Sequence, residues 1–468
     1  MTARGGLDAV SSAPSFWLED CGEDLQLRPP LDGDATVDVA ILGAGFSGLW
    51  TALHLLRGDP SLNVAIVERD FCGFGASGRN GGWCSPRFPV DAGSLARRVG
   101  VERARETLLA QQAMVARIGE LCAEEGIDAH YRRTGLLVVA RGEAQRAGIE
   151  QTHATYERLG LGDQSFLLSA EETFARVHAT RLAGGLFAPV GASVHPGRLV
   201  RGLARAVERR GGLIFEKTEA LRIRRGPRPA IETGRGTLWA RKTVVAAGEA
   251  YLSGMPGFRR TLLPISSMIV LSAPLTDAQW RAAGWENGES LCSQAHTKDY
   301  LTRTRDGRIL FGSRGLPYGF GSGMPERARL QRRMFEQMRE TVREWWPSLS
   351  DLEFTHAWGG YLGIPRDWMP AVSYDASAGF AQLLGYSGRG VTTSAMGGEL
   401  LAGLIGGWTT GYENLPIHRS ALPKWEREPI RWMGVRYIQN TYARIDAADS
   451  DGRRRPLDAP FAEYLGEP

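Results

Sequence analysis

Apolar residues in this chain occur both in short continuous runs and at helical spacing. The runs at 37–42 and 63–68 are rich in β-branched residues and predict two buried parallel strands. Between them, 49–56 has the pattern of a helix, so a strand–helix–strand unit is expected. A membrane span is the rival interpretation, since 37–56 is mostly apolar and about long enough. The second strand and four small residues argue against it: Gly43, Ala44, Gly45 and Gly48.

The same patterns predict the remaining elements. Helical spacing indicates a long amphipathic helix over about 93–125 and another that begins at Pro196 and stops at Gly211-Gly212. Residues 1–36 are expected to be an irregular lead-in, and 413–468 a peripheral C-terminal segment. Further strands are expected at 135–140, 213–216, 243–248, 262–275, 307–312 and 380–384, and further helices up to about 160, at 324–346 and at about 393–405.

This order of elements predicts an α/β, or α+β composite, fold. A Rossmann-like nucleotide-binding domain would comprise 1–90, 195–250 and 366–412, because strand–helix alternation returns after each interruption. The insertions 91–194 and 251–365 would form a second domain on a mainly antiparallel sheet. A chain of 468 residues is long enough for both domains.

Composition excludes several classes of function. A formal net charge of +4, without a lysine- or arginine-rich run, gives no basis for nucleic-acid binding. Five cysteines, an odd number without Cys-x-x-Cys, argue against disulfides and zinc sites. The histidines lack ligand spacing, so no metal site is predicted, and His195 before Pro196 is expected to be structural. The N-terminus lacks a secretory signal and cytoplasmic residence is the default; the excess of Arg over Lys favours a bacterial source of high GC content.

The turn after the first strand carries the most specific motif. Gly43-x-Gly45-x-x-Gly48 lies between strand and helix, and Glu68 ends the second strand, as in dinucleotide-binding units. Gly43 permits the tight turn, Gly45 lets main chain approach a pyrophosphate, and Gly48 allows close packing of helix on strand. The helix N-terminus then faces the phosphates, and the carboxylate of Glu68 can accept hydrogen bonds from a ribose.

Over residues 16–412 the order of motifs resembles the flavin-dependent amine and amino-acid oxidases, the D-amino-acid oxidase-like superfamily. Within it the chain is most similar to the gamma-glutamylputrescine oxidase and glycine–sarcosine oxidase group. The motifs that carry the resemblance are the glycine turn with Glu68, the Gly-rich block 73–82 (Gly-Phe-Gly-Ala-Ser-Gly-Arg-Asn-Gly-Gly), Val244-Val245-Ala246-Ala247-Gly248, Trp358-Gly359-Gly360 and Gly385-Tyr386-Ser387-Gly388-Arg389-Gly390-Val391.

The resemblance implies bound FAD. Cys72 and Cys84 flank the Gly-rich block, but neither belongs to an attachment motif, so non-covalent binding is expected. The structural alternatives to FAD binding are an ordinary Gly/Ser loop for the block, a strand-ending turn after Ala247 and a helix-capping turn near Gly390. The implied FAD-binding residues are Gly43, Gly45, Phe46, Ser47, Gly48, Glu68, Arg69, Ala76, Ser77, Arg79, Asn80, Gly81, Gly82, Ala220, Ala247, Gly248, Gly388, Arg389, Gly390, Val391 and Thr392.

The chemistry implied by the resemblance is oxidation of a C–N bond. A small amine or amino acid would lose hydride to flavin N5, the imine would hydrolyse, and molecular oxygen would be reduced to hydrogen peroxide. Three rivals stay open: an amine dehydrogenase with another electron acceptor, an FAD monooxygenase of a biosynthetic pathway, and a non-catalytic FAD-binding sensor. The identity of the amine and the oligomeric state also stay open.

Four residues are the catalytic candidates: Arg303, Trp358, Tyr361 and Arg389. The guanidinium of Arg303 could bind a carboxylate or phosphonate through two parallel hydrogen bonds, and the aromatic rings could line a pocket for the amine. The alternatives are a surface arginine in a hairpin and core aromatics. The similar group often has His where Arg389 stands, which leaves its role open. Further candidates for substrate contact are Tyr300, Leu301, Thr302, Arg314 and Arg366, and Tyr386 is uncertain.

Overall fold

A computed structural model describes residues 15–23, 25–324 and 328–466 of the chain. The predicted lead-in at 1–14 and at 24, and positions 325–327 of a predicted helix, therefore lie outside the described residues.

Helices occur along the whole described chain. They are α1 (Phe16–Glu19), α2 (Phe46–Gly58), α3 (Ala92–Val99), α4 (Val101–Glu124), α5 (Glu143–Arg158), α6 (Ala170–Phe174), α7 (Pro196–Arg209), α8 (Asp277–Ala283), α9 (Ala328–Trp345), α10 (Gly390–Gly406), α11 (Ile430–Ser450) and α12 (Ala459–Gly466).

The strands form two large sheets and one small one. They are β1 (Ala35–Leu42), β2 (Val64–Val67), β3 (Trp83–Cys84), β4 (Arg132–Arg133), β5 (Leu136–Arg141), β6 (Phe166–Leu168), β7 (Leu182–Ala188), β8 (Ala192–Ser193), β9 (Leu213–Phe215), β10 (Ala220–Arg224), β11 (Ala230–Thr233), β12 (Gly236–Ala246), β13 (Leu263–Ser272), β14 (Ser290–Ser293), β15 (Asp299–Arg303), β16 (Ile309–Arg314), β17 (Phe354–Ile364), β18 (Ala371–Asp375) and β19 (Phe380–Leu384).

The first large sheet contains the predicted strand–helix–strand unit. Its order is β10-β11-β12-β1-β2-β9, with β19 beside β12 and β18 beside β19. The pairs of β1 with β2 and β12, of β2 with β9 and of β12 with β19 are parallel. Helices α2, α7 and α10 pack on this sheet, α2 also packs against both α7 and α10, and their apolar faces share one large buried cluster. Parallel strands covered by helices are the arrangement expected of a Rossmann-like domain.

The second large sheet has the order β17-β13-β16-β15-β14-β5-β7-β6. Every pair in it is antiparallel except β5 with β14. One face packs against a cluster that includes Trp285, Trp345 and Trp346. The opposite face carries Trp358 and packs against α1. This face turns toward the Gly-rich block and positions the candidate site.

The mixed architecture agrees with the predicted fold class. The two sheets are built from alternating stretches of the chain, whereas the exact domain boundaries stay a prediction. No helix in the described ranges is long and apolar enough to cross a bilayer.

Several elements differ from the sequence patterns. The predicted helix over 93–125 is divided at Gly100, whose φ of 85° cannot continue a helix. Strand β12 begins at Gly236, earlier than its buried run, because its first half pairs with β11 as a hairpin. The C-terminal segment contains α11 and α12; α11 buries Val435, Tyr442 and Ile445 on one side, a helical spacing hidden among charged residues.

Candidate active site

The glycine turn joins β1 to α2 without room for side chains. Gly43 has a φ of 103°, and a Cβ there would lie 2.8 Å from the carbonyl oxygen of Ala247. A Cβ on Gly48 would overlap the Gly43 carbonyl oxygen, so helix and turn touch directly. A Cβ on Gly45 would lie 2.9 Å from Ser77 Oγ. The turn therefore leaves the start of α2 open to a ligand, as the motif predicts.

The N-terminus of α2 meets the Gly-rich block and the loop before α10. Gly45 caps the helix without a side chain, and the Phe46 N–H donates to Ser77 Oγ at 2.8 Å. The hydroxyls of Ser47 and Tyr386 share a hydrogen bond of 2.6 Å. Three segments that are far apart in sequence thus converge where the helix dipole favours an anion.

Glu68 holds the other side of the turn. Its carboxylate accepts from the N–H groups of Ala44 and Asp70, both at 3.0 Å, and desolvation raises its pKa. The main-chain bond from Thr218 N to Glu68 O, at 2.8 Å, brings the start of β10 near this carboxylate. Ala220, the first residue of β10, follows Thr218 by two residues, and its part in binding FAD stays a prediction.

The guanidinium of Arg69 points toward two aromatic rings. Its guanidinium lies 5.5 Å from the centroid of the Phe74 ring and 5.1 Å from that of Tyr251, while its Nε donates to Asp70. These contacts connect the end of β2 with the start of the Gly-rich block.

The Gly-rich block folds into a compact turn around Asn80. A short 3₁₀ turn spans Ala76–Gly78, and the Asn80 amide donates to the carbonyls of Ala76 and Ser77 at 3.1 and 2.9 Å. Asn80 Oδ1 accepts from Gly82 N at 2.8 Å. Arg79 is buried, and its guanidinium donates to the carbonyls of Phe74 and Gly359. The side chains of the block thus serve to fix its main chain.

The end of the block lies under the second sheet. A Cβ on Gly81 would lie 2.6 Å from the Tyr300 ring, and the Gly81 carbonyl accepts from Thr302 Oγ1 at 2.6 Å. Gly82 has a φ of 78°, and its carbonyl accepts from Val194 N. Tyr300 in turn shares a hydrogen bond of 2.9 Å with Ser267. The main chain of the block and the Tyr300 face of the second sheet therefore pack together, and the region that they share with the start of α10 is called the cleft below.

Glu249 links three segments next to Gly248. Its carboxylate accepts from the N–H groups of Gly385 at 2.9 Å and Tyr386 at 3.4 Å, and also interacts with that of Gly363. Desolvation raises its pKa to about 7, which these hydrogen bonds partly offset. Sequence reasoning missed this residue, because its partners come from two distant strand ends, those of β17 and β19.

The start of α10 also faces the cleft with open donors. Gly388 has a φ of 91°, and Arg389 caps the helix without a side-chain bond to it. The helix begins at Gly390, and the buried hydroxyl of Thr392 has no hydrogen-bond partner among the residues that the structure describes. A helix of this length presents N–H groups and a positive dipole end.

These features fit FAD. Two helix N-termini, three glycines without room for a Cβ and the packed main chain of the block form a cradle for a long cofactor that carries a diphosphate. Cys72 and Cys84 are fully buried, and desolvation raises both thiol pKa values, which fits non-covalent binding. The role of each predicted FAD-binding residue stays a prediction.

The catalytic candidates on β17 lie on opposite faces of the strand. Trp358 is 1% exposed, and its Nε1–H donates to the Arg79 carbonyl at 2.9 Å. It shares its face with Gly360, whose Cβ would touch Arg79. Because side chains alternate along a strand, Tyr361 lies on the other face. The structure thus places Trp358 behind the Gly-rich block and does not place Tyr361 beside it.

The structure does not bring Arg303 to the Gly-rich block. Its guanidinium lies 4.0 Å from the centroid of the Trp280 ring and donates to the carbonyls of Trp285 and Glu286. Arg366 contacts the C-terminal segment through Glu426 at 3.0 Å. The contacts of both arginines are structural, and their proposed substrate roles stay predictions.

Arg389 does reach the cleft. It donates to the carbonyl of Phe88, and desolvation, helped by the nearby charge of Arg87, lowers its pKa to about 10. Two other cations lie on the cleft side of the second sheet, Lys298 and Arg314. Sequence reasoning named Arg314 only as one of several contacts and missed both Lys298 and Arg87.

His195 has a structural role. Its Nδ1 accepts from Arg198 N and caps α7, and its Nε2 lies 3.3 Å from Asp20. Burial lowers its pKa to about 4, so the ring is neutral.

Comparison with known proteins identifies the type of site. Residues 38–404 match the family model described as FAD dependent oxidoreductase. The chain is 29% identical to gamma-glutamylputrescine oxidoreductase of Escherichia coli over 87% of this chain and 93% of the relative. It is 25% identical to D-amino acid dehydrogenase of Cereibacter sphaeroides over 82% and 96%. The crystal structure of glycine oxidase from Geobacillus kaustophilus superposes with a TM-score of 0.69 and 21% identity, covering 82% of this chain and 98% of that one.

Proposed function

The chain belongs to the family of FAD dependent oxidoreductases, which act on amines and amino acids, and we propose that it is an oxidase that reduces oxygen to hydrogen peroxide. The observation that carries this proposal is the meeting of Gly81 with Tyr300 and Thr302. It brings the second sheet over the main chain that would support the flavin, so a substrate held by that sheet would face the cofactor.

The chemistry balances without a metal or a strong acid–base pair. FAD supplies the hydride acceptor when bound. The substrate loses a hydride and a proton to become an imine, water hydrolyses the imine to a carbonyl compound and an amine or ammonia, and oxygen takes up two electrons and two protons.

The residues of the cleft support this reaction by their environment. Desolvation raises the pKa of Tyr300 to about 12, so its hydroxyl stays protonated and can donate a hydrogen bond to a substrate. The cations around the cleft disfavour the positive charge of a bound ammonium group, so a bound amine would release its proton more easily. The helix dipole of α10 favours negative charge at its N-terminus.

An anaerobic screen tests the proposal. A panel of amines and amino acids is mixed with the purified holoenzyme without oxygen, and bleaching of the visible flavin absorbance is followed. Bleaching by at least one amine, then recovery of colour and peroxide formation in air, is the expected result. If no amine or amino acid bleaches the flavin, the proposed chemistry is wrong.

The second candidate is a dehydrogenase that passes electrons to another acceptor, and similarity to a protein named D-amino acid dehydrogenase supports it. Stopped-flow mixing of the amine-reduced enzyme with air-saturated buffer separates the two. Rapid reoxidation supports the oxidase, whereas slow reoxidation by oxygen and rapid reoxidation by a quinone would establish the dehydrogenase.

A further inference from the structure

Lys298 and Arg314 are neighbours on the face of the second sheet that covers the Gly-rich block. Strand β15 pairs Asp299 with Ser313 and Tyr300 with Gly312. Lys298 directly precedes β15 and therefore comes next to Arg314, the last residue of β16, whose charge acts on it. A hydrogen bond from Ser313 Oγ to the Lys298 carbonyl agrees with this pairing. Because side chains alternate along a strand, both cations share the face of Tyr300.

Two further cations from other segments of the chain lie close enough to act on Lys298 electrostatically. Arg389 comes from the start of α10, and Arg87 from the loop after β3. Desolvation lowers the pKa of Lys298 to about 8, and the charges of Arg87, Arg314 and Arg389 contribute to the same shift. The Lys298 side chain is nevertheless exposed, so a ligand can reach its ammonium group from solvent.

Neighbouring carboxylates do not neutralise this set. Within the described ranges, none of the four cations forms a salt bridge. Asp299, Asp446 and Asp91 are the acidic groups that act on them electrostatically, and each is engaged elsewhere. Asp299 accepts from Ser293, Asp446 from the N–H groups of His296 and Thr297, and Asp91 from Ser94.

The loop that carries Lys298 is held in place. Asp446 of α11 accepts two main-chain bonds from it, at 2.8 and 2.7 Å, and Glu463 of α12 lies 3.0 Å from the His296 ring. Lys298 Nζ itself donates to the Ala295 carbonyl at 3.0 Å, which leaves two of its three N–H groups for a ligand. The Tyr442 ring of α11 packs 5.6 Å from the Arg314 guanidinium.

We propose that Lys298 and Arg314, with Arg87 and Arg389 nearby, bind a doubly negative group on the substrate, such as a phosphonate or phosphate ester or a pair of carboxylates. This inference rests on the proposed amine oxidation, because it assigns the class of amine. Four converging cations exceed what one carboxylate would neutralise, and unpaired charges in a concave site are costly unless a ligand pairs with them.

Anion binding to the holoenzyme tests the subsite without turnover. Methylphosphonate, malonate and acetate are titrated separately, and the shift of the visible flavin spectrum is measured. Methylphosphonate or malonate, or both, should bind at least about tenfold more tightly than acetate, and which of them does identifies the dianion. Equal affinity for all three would overturn the proposal.

Variants show whether these side chains are responsible. Lys298→Met and Arg314→Met should each weaken dianion binding about tenfold or more, whereas Lys298→Arg, which keeps the charge, should retain most of it. Lys242→Met, on the exposed part of β12, is the matched control and should bind as the parent does. Dianion affinity that is the same in Lys298→Met, Lys298→Arg and the parent would refute the assignment.

Turnover separates this inference from the proposed function. 2-Aminoethylphosphonate, aspartate, 3-aminopropanoate and butylamine are compared by kcat/KM, and a dianionic amine should exceed butylamine by at least about a hundredfold. If butylamine bleaches the flavin as efficiently, amine oxidation stands and the anion subsite falls. If dianions bind tightly but no amine bleaches the flavin, the subsite stands and amine oxidation falls.

Discussion

Replacing Glu249 by Gln should change how stability depends on pH. Its carboxyl pKa rises from 4.5 to about 7 on folding, mainly through desolvation. Between those values the native state keeps a proton that the unfolded state has lost, so this group makes the protein less stable as pH rises. The full effect corresponds to about 3 kcal/mol, and partial exposure to the cleft reduces the expected figure to about 2 kcal/mol.

Glu249→Gln removes this titration while keeping the shape of the neutral acid. At pH 5 the variant and the parent should melt at about the same temperature, but at pH 8 the variant should melt about 2 °C higher, given the unfolding entropy of a chain of 468 residues. Thermal melts of FAD-saturated protein by tryptophan fluorescence measure this difference, and the exposed Glu219→Gln is the control. A melting difference that does not change between pH 5 and pH 8 would refute the reasoning.

Three further substitutions test other parts of the site. Gly48→Ala places a Cβ against a main-chain carbonyl oxygen and should yield protein without bound flavin, whereas Gly434→Ala, with open space around it, should remain yellow; absorbance spectra decide between them. Trp358→Phe leaves the buried Arg79 carbonyl without its donor, which costs about 1 to 3 kcal/mol, so the Kd for FAD should rise about tenfold in a fluorescence titration of apoprotein, and an unchanged Kd would contradict this role. Asp446→Ala releases two main-chain N–H groups of the loop between β14 and β15 and should weaken methylphosphonate binding while leaving the Kd for FAD unchanged.

The flavin-binding half was predictable from local sequence. Gly43 and Gly48 lie within one short motif, so their pattern is visible in the sequence. A Cβ on Gly48 would meet the turn itself, whereas a Cβ on Gly43 would meet Ala247, which is distant in the chain. The family assignment and the FAD cofactor were inferred largely from such local motifs, and both are confirmed. Local reasoning failed at Gly100, because apolar spacing continues through a residue whose main chain turns away from helical geometry.

The substrate side was less predictable because strand pairing builds it. Lys298 and Arg314 become neighbours only through the register of β15 with β16, which the sequence does not specify. Trp358 is an aromatic residue of the right type in the right motif, but its indole is committed to the Arg79 carbonyl. Whether such a residue faces the substrate or the protein interior depends on the direction of its side chain from the strand, which the sequence does not show.

Asp446 and Glu463 hold the loop that carries Lys298, yet both lie beyond the 38–404 stretch that matches the family. If Lys298 binds substrate as proposed, substitutions in these two helices should change which amines are accepted without touching the predicted FAD-binding residues. Chimeras that exchange these helices between relatives offer a modular way to redirect selectivity.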